Sequence, residues 1–267
     1  MHLLLGPILD KRILLVIGLC AYSNISMGGC DDSFVETIRH KLGYAVERNE
    51  WSEFVACKQF PSSEGKSIFA IAKRQKGTEI GDSETMGDYN LEIALVDNRT
   101  TKVLRRAFFK QRFISDGYRF DGIEIDTANY AIAPNLRAIG IRANYHIDLG
   151  FTSSQSLTLF IPSGTTYKEV LSDAVMAISF TKNWPSCTNE TREATRTVSI
   201  AKEISRGYFD HLVRESLVDA REHEGLKPGD DCISSIEHKE TKTYTLRFDG
   251  KHYVIPKEMR EFDCRIC

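Results

Sequence analysis

Four stretches of this chain alternate apolar and polar residues with a period of two, and that pattern favours sheet over any other structure. Tyr89, Leu91, Ile93 and Leu95 alternate with Asn90, Glu92 and Ala94. Ile139, Ile141, Ala143, Tyr145 and Ile147 alternate with Gly140, Arg142, Asn144 and His146. Leu157, Leu159 and Ile161 alternate with Thr158 and Phe160, and Tyr244, Leu246 and Phe248 with Thr245 and Arg247. Successive strand side chains point to opposite faces, so each stretch reads as an antiparallel strand with one buried and one wet face.

Turn residues fit the same reading. Asp249-Gly250 between Tyr244–Phe248 and Lys251–Ile255 predicts a hairpin of type I′, in which both central residues need positive φ. Asp97-Asn98-Arg99-Thr100 joins two β-like runs through a longer loop, and Pro256 ends the last strand. One helix is expected. Ser33-Phe34-Val35-Glu36 has the capping-box pattern, Phe34, Ile38 and Leu42 recur every four residues, and Gly43 stops the run, which predicts a helix over 33–42. Thr166 and Glu169 repeat the capping pattern, so 167–173 reads as a short helix or a strand. The expected fold is mainly β, with antiparallel sheets arranged as a sandwich or an open barrel-like form and one short N-terminal helix. A single β-rich domain over 31–263 is expected, with an internal division near 183 as the alternative.

The N-terminus points to export. Lys11 and Arg12 precede the apolar run Ile13 to Leu19, which Cys20 and Ala21 extend. That is the grammar of a secretory signal, and the run is about half the roughly 20 residues that a membrane-spanning helix needs. Ala21-Tyr22-Ser23 fits cleavage before Asn24, giving a signal peptide over 1–23; a buried core strand is the alternative. Met27-Gly28-Gly29-Cys30 resembles a poor lipobox, so membrane attachment is expected only through a lipid on Cys30. The expected location is periplasmic or secreted.

The cysteines agree. Of the 7, Cys20 leaves with the signal, and Cys30, Cys57, Cys187, Cys232, Cys264 and Cys267 remain. An even set suits an oxidising compartment. Proximity suggests Cys30–Cys57 and Cys187–Cys232, closing loops of about 27 and about 45 residues, each worth about 3–4 kcal/mol by loop-closure entropy. Cys264 and Cys267 have Cys-x-x-Cys spacing, but no helix follows to stabilise a thiolate, so a tail disulfide or two free thiols are expected.

Motifs for chemistry are sparse. Gly65-Lys66-Ser67 resembles the end of a phosphate loop, but Phe60 stands where that loop needs glycine. Ser-x-x-Lys occurs at Ser63, Ser179 and Ser199 without the companion motifs of a β-lactamase-like site. No cofactor and no metal site are expected. The balance of 35 basic and 37 acidic residues gives no basic footprint for nucleic acid. Two candidate groups remain. Glu124 and Asp126 share a strand face about 7 Å apart, where paired carboxylates can bind a cation or do acid–base work. Arg142, Asn144 and His146 share another face, a row able to hold an anion or a partner's carboxylate. An ordinary wet sheet face is the favoured reading of each. His211 reads as a satisfied core or boundary histidine.

The run Asp126–Arg142 resembles a segment of an uncharacterised family of exported proteobacterial proteins. So do the Leu157–Pro162 strand, Glu203-Ile-Ser-Arg-Gly-Tyr208 and the hairpin Thr243–Pro256. The resemblance spans roughly residues 30–256 and implies a periplasmic or secreted β-rich protein; it carries no activity and no catalytic residue. The expected function is that of an exported, disulfide-stabilised binding protein, such as an inhibitor or immunity-type protein of the cell envelope. Its expected partner is another protein or an envelope glycan. The alternatives are an envelope hydrolase built from Glu124, Asp126, His146 and His211, and a structural envelope component.

Overall fold

A computed structural model of the protein describes residues 30–44, 52–61, 63–80, 85–147, 152–182, 187–225 and 232–260. The expected signal peptide, Cys264 and Cys267 lie outside the described residues.

The chain enters through α1 (Asp32–Leu42). Its cap differs from expectation. Asp31, not Ser33, is the N-cap, its carboxylate accepting the Phe34 N–H at 2.8 Å. Ser33 donates its hydroxyl to the same carboxylate, and Glu36 turns to Arg39, so the expected box does not form. Asp and Ser cap equally well, and the earlier residue took the position. Gly43, at φ 90, closes the helix in the left-handed conformation, as expected.

The strands form two antiparallel meanders. The first is four-stranded: β1 (Glu53–Gln59), β2 (Lys66–Arg74), β3 (Gly87–Asp97) and β4 (Val103–Ser115). The second is eight-stranded and begins with β5 (Arg119–Ala133), β6 (Leu136–Ile147), β7 (Thr152–Ser163) and β8 (Thr166–Lys182). It continues with β9 (Glu190–Ser205), β10 (Tyr208–His223), β11 (Ile233–Phe248) and β12 (Tyr253–Val254). A short α2 (Lys257–Arg260) follows. Residues 167–173 are therefore strand, not helix.

Three apolar layers set the architecture. Val35, Ile38 and Leu42 of α1 cover Phe69, Ile71, Ala94 and Val96 on one face of the four-stranded sheet. Its other face, with Ile68, Ala70, Leu91 and Ile93, packs on Ile123, Ile125, Ile139 and Ile141 of the larger sheet. This is face-to-face sandwich packing. The larger sheet then curls, so its second face buries Leu157, Leu159 and Leu171 against Val213, Phe248 and Tyr253. Its first and last strands do not join into a closed barrel. The expectation of one wet face per strand fails at β7 for this reason. Phe160 faces the sandwich core, while Leu157, Leu159 and Ile161 face the curl. Likewise Ser67 to Ala72 of β2 are all buried, between helix and sheet, and show no alternation.

The last hairpin also departs from expectation. Asp249 N–H donates to the His252 carbonyl at 3.0 Å, so the turn centres on Gly250 and Lys251. Only Gly250 has positive φ (106) there. This is the type II′ pattern, with the Asp249 carboxylate accepting from the Lys251 and His252 N–H groups.

Disulfides Cys30–Cys57 and Cys187–Cys232 form as expected. The first ties the entry of α1 to β1, and it occupies the sulfur that a lipid on Cys30 would need. Two disulfides on a β-rich frame suit an oxidising compartment such as an exported protein meets. Among the described residues no helix is long and apolar enough to cross a membrane. The expected division near 183 falls on residues outside the description; β8 and β9 pair antiparallel on either side of it.

Candidate functional site

The two candidate groups are one site. β5 and β6 are antiparallel neighbours, with Glu124 opposite Arg142 and Gly122 opposite Asn144. The acidic and basic rows thus lie side by side on the face of the large sheet turned away from the sandwich core. A ladder of cross-strand pairs joins them. Arg142 Nε donates to Asp126 Oδ2 at 2.7 Å, Asn144 Nδ2 donates to Glu124 Oε1 at 2.9 Å, and His146 Nδ1 meets Asp121 Oδ2. Gln155 of β7 locks the rungs together. Its carbonyl accepts from Arg142 Nη1 at 2.5 Å and its amide donates to Asn144 Oδ1 at 2.8 Å.

Two glycines make the ladder possible. The register slips between Phe120 and Gly122, so Asp121 is an extra residue on β5, and Gly122 takes φ 126. Such a bulge lets Asp121 reach the side of His146, instead of alternating into the core with Ile123. Gly140 stands opposite Asp126, and a Cβ there would lie 2.9 Å from Leu157 Cδ1 and 3.0 Å from Asp126 Cβ. The bare Gly140 backbone is what lets Asp126 lie across β6 toward Arg142. Gly140→Ala is therefore expected to push Asp126 off Arg142 and to cost about 1–3 kcal/mol, read as a lowered denaturation midpoint.

Asp126 is the electrostatic anchor. Burial disfavours its charge, but the Ala128 N–H, the Tyr130 hydroxyl and the Arg142 guanidinium outweigh it and hold the carboxyl below its ordinary range. Arg142 is held charged in turn: burial opposes its charge, and Asp126 prevails. Tyr130 is pushed above the ordinary phenol range by burial and by the Asp126 charge.

This pairing changes the reading of the basic row. Arg142, Asn144 and His146 each already face a carboxylate or amide of this chain, so the row is not an open anion site. Beside it runs an open groove of about 250 Å³ across β5 to β9. Asp121, Asn144, His146, Ser153, Gln155 and Ser179 line it, with Glu193 at the far wall. His146 stands opposite Ser153, and Ser153 opposite Ser179, so polar groups cross the strands in one row.

His211 is not part of this site. It lies on β10, 1% exposed, its ring edge-on to Tyr253 at 4.8 Å. It is a core histidine, as expected, but not a satisfied one: neither ring nitrogen completes a hydrogen bond. Burial pushes its pKa down to about 4, against the opposing pull of Asp210 and the Ala131 carbonyl. Of the four residues of the hydrolase alternative, Glu124, Asp126 and His146 meet in the ladder and His211 does not join them. Gln155 is the member that the sequence reading left out of the site, and Asp121, in the same acidic run as Glu124 and Asp126, was not placed on their face because alternation alone turns it away. The Asp121-Gly122 pair was the available sign, because glycine after a polar residue inside a strand marks a bulge. Gln155 carried none. Among the described residues no group of three or more His, Cys, Asp or Glu is placed to hold a metal ion.

Fold and site together define a disulfide-tied antiparallel β-protein of two stacked sheets, the larger one curled and bearing an open groove in which polar side chains stand beside Tyr145, Ala177 and Ile178. No family model, curated protein or solved structure matches the chain.

Proposed function

We propose that the protein is an exported binding protein and that the groove along the β5–β6 ladder is its binding face. The ladder carries this reading. Asp121, Glu124, Asp126, Arg142, Asn144, His146 and Gln155 form a hydrogen-bonded surface on four-square strand backbone, not on loops. A recognition surface gains affinity when its polar groups are held in place before the partner arrives. The groove offers amides, hydroxyls and carboxylates in a row, the chemistry that recognises a polar protein surface or a glycan. An inhibitor or immunity-type role toward an envelope hydrolase or toxin is the concrete form of this reading. The two disulfides support the compartment.

The test is capture of partners from envelope and culture extracts by the immobilised, disulfide-intact protein, beside Asn144→Ala/Gln155→Ala and Ile200→Ala, which is remote from the groove. Retention by wild type and Ile200→Ala, with loss by the ladder variant, is the expected result. Equal retention by all three counts against the groove.

One observation favours a second reading. His146 touches the Asp121 carboxylate and stands opposite Ser153, the residue types of a serine hydrolase. Covalent labelling of Ser153 by a fluorophosphonate, lost in His146→Ala, would replace binding with catalysis.

A further inference from the structure

The outer edge of β11 is open. β10 pairs with one side along nearly the whole strand, while β12 covers only Arg247 and Phe248 on the other. From Ile236 to Leu246 that outer side meets no strand among the described residues. The backbone groups that face outward follow from the turn. Asp249 directs its N–H across to His252, on the β12 side. Pairing with β10 runs without a slip from His238 to Leu246, so alternation turns the backbone N–H and C=O of Thr245, Thr243, Thr241 and Lys239 outward as well.

We propose that this edge pairs antiparallel with the same edge of a second copy of the chain, about a two-fold axis at Thr241. Two-fold symmetry requires one residue to pair with itself, and charge selects which. With Thr241 on the axis, Glu240 stands opposite Lys242 of the second copy, and Lys242 opposite its Glu240. Moving the axis one residue sets Glu240 against Glu240, or Lys242 against Lys242. Moving it to Lys239 sets two lysines together. Opposite charges across strands stabilise, and like charges destabilise. Within one chain Lys242 Nζ already lies 3.4 Å from Glu240, so the four charges would alternate in sign around the axis. The Thr241 register also sets His238 opposite Tyr244, and the ladder ends at Leu246, where β12 begins. Ile236, 67% exposed, lies at its far end opposite Leu246 of the second copy, and the partner strand would cover it. Charged residues commonly guard an edge against pairing. Here their opposite signs at two-residue spacing make the edge complementary to itself.

Sedimentation velocity on the disulfide-intact protein over a concentration series tests this. A concentration-dependent dimer is expected. Lys242→Glu should weaken it tenfold or more, because both cross-strand pairs become repulsive. Glu240→Lys/Lys242→Glu should restore it, because both pairs are reversed together. Thr241→Pro should abolish it while keeping the β10 pairing, since the N–H it removes points outward. If Thr241→Pro fails to fold by circular dichroism, the charge variants decide alone. A monomer at every concentration, or a dimer indifferent to Lys242→Glu, would overturn the proposal.

Discussion

Replacing Arg39 by methionine is expected to cost about 3–5 kcal/mol of folding stability, read from urea denaturation midpoints. Arg39 is 0% exposed, beneath α1. Its Nε donates to Glu53 Oε1 at 2.8 Å and its Nη1 to Glu36 Oε2 at 2.7 Å. The Glu53 side chain is buried as well, and Lys73 Nζ lies 3.1 Å from its other oxygen. Removing the guanidinium leaves a buried carboxylate with one half-exposed lysine, and the cost lies in that stranded charge more than in the lost pair. The double variant Arg39→Met/Glu53→Leu should therefore recover much of the loss, because a well-packed apolar pair often matches a buried ion pair. A single-variant loss below about 1 kcal/mol would show that solvent reaches Glu53.

The second large effect belongs to His211. Its pKa is about 4 in the folded protein against an ordinary 6.5. The unfolded chain therefore takes up a proton at this residue before the folded chain does. Stability falls as pH drops from about 6.5 to about 4 and changes no further below that, a total of about 3 kcal/mol from this group. Other groups titrate over the same range, so the decisive quantity is a difference. In His211→Leu this share of the pH dependence should vanish. Parallel stability–pH curves for the two proteins would contradict the burial argument.

Sequence legibility followed the physics of exposure. Where a strand has one wet face, period-two alternation is visible, as over 139–147 of β6; over 89–95 of β3 the alternation points to a wet face that α1 in fact covers, with Glu92 and Ala94 buried there. β2 is buried on both faces and β11 is largely wet on both over its first half, so neither shows the full pattern. The disulfides were legible because short loops close most readily. The site was half legible. Alternation placed Glu124 with Asp126, and Arg142 with Asn144 and His146. It could not show that β5 and β6 are neighbours in a register that joins the two rows, because register depends on the partner strand as well. Arg39 gave no sign at all: a charged residue in a helix reads as wet until its buried partner, fourteen residues away, is seen.

The groove as a binding face is the claim on which the functional account turns. It is tested most directly by filling it. Ser179 lines the groove and belongs to neither the ladder nor the core. Ser179→Trp should therefore leave the denaturation midpoint near that of the wild type while abolishing retention of the partner that the wild type captures. A folded Ser179→Trp protein that retains the same partner at the same level would contradict the account and move the binding face elsewhere on the molecule.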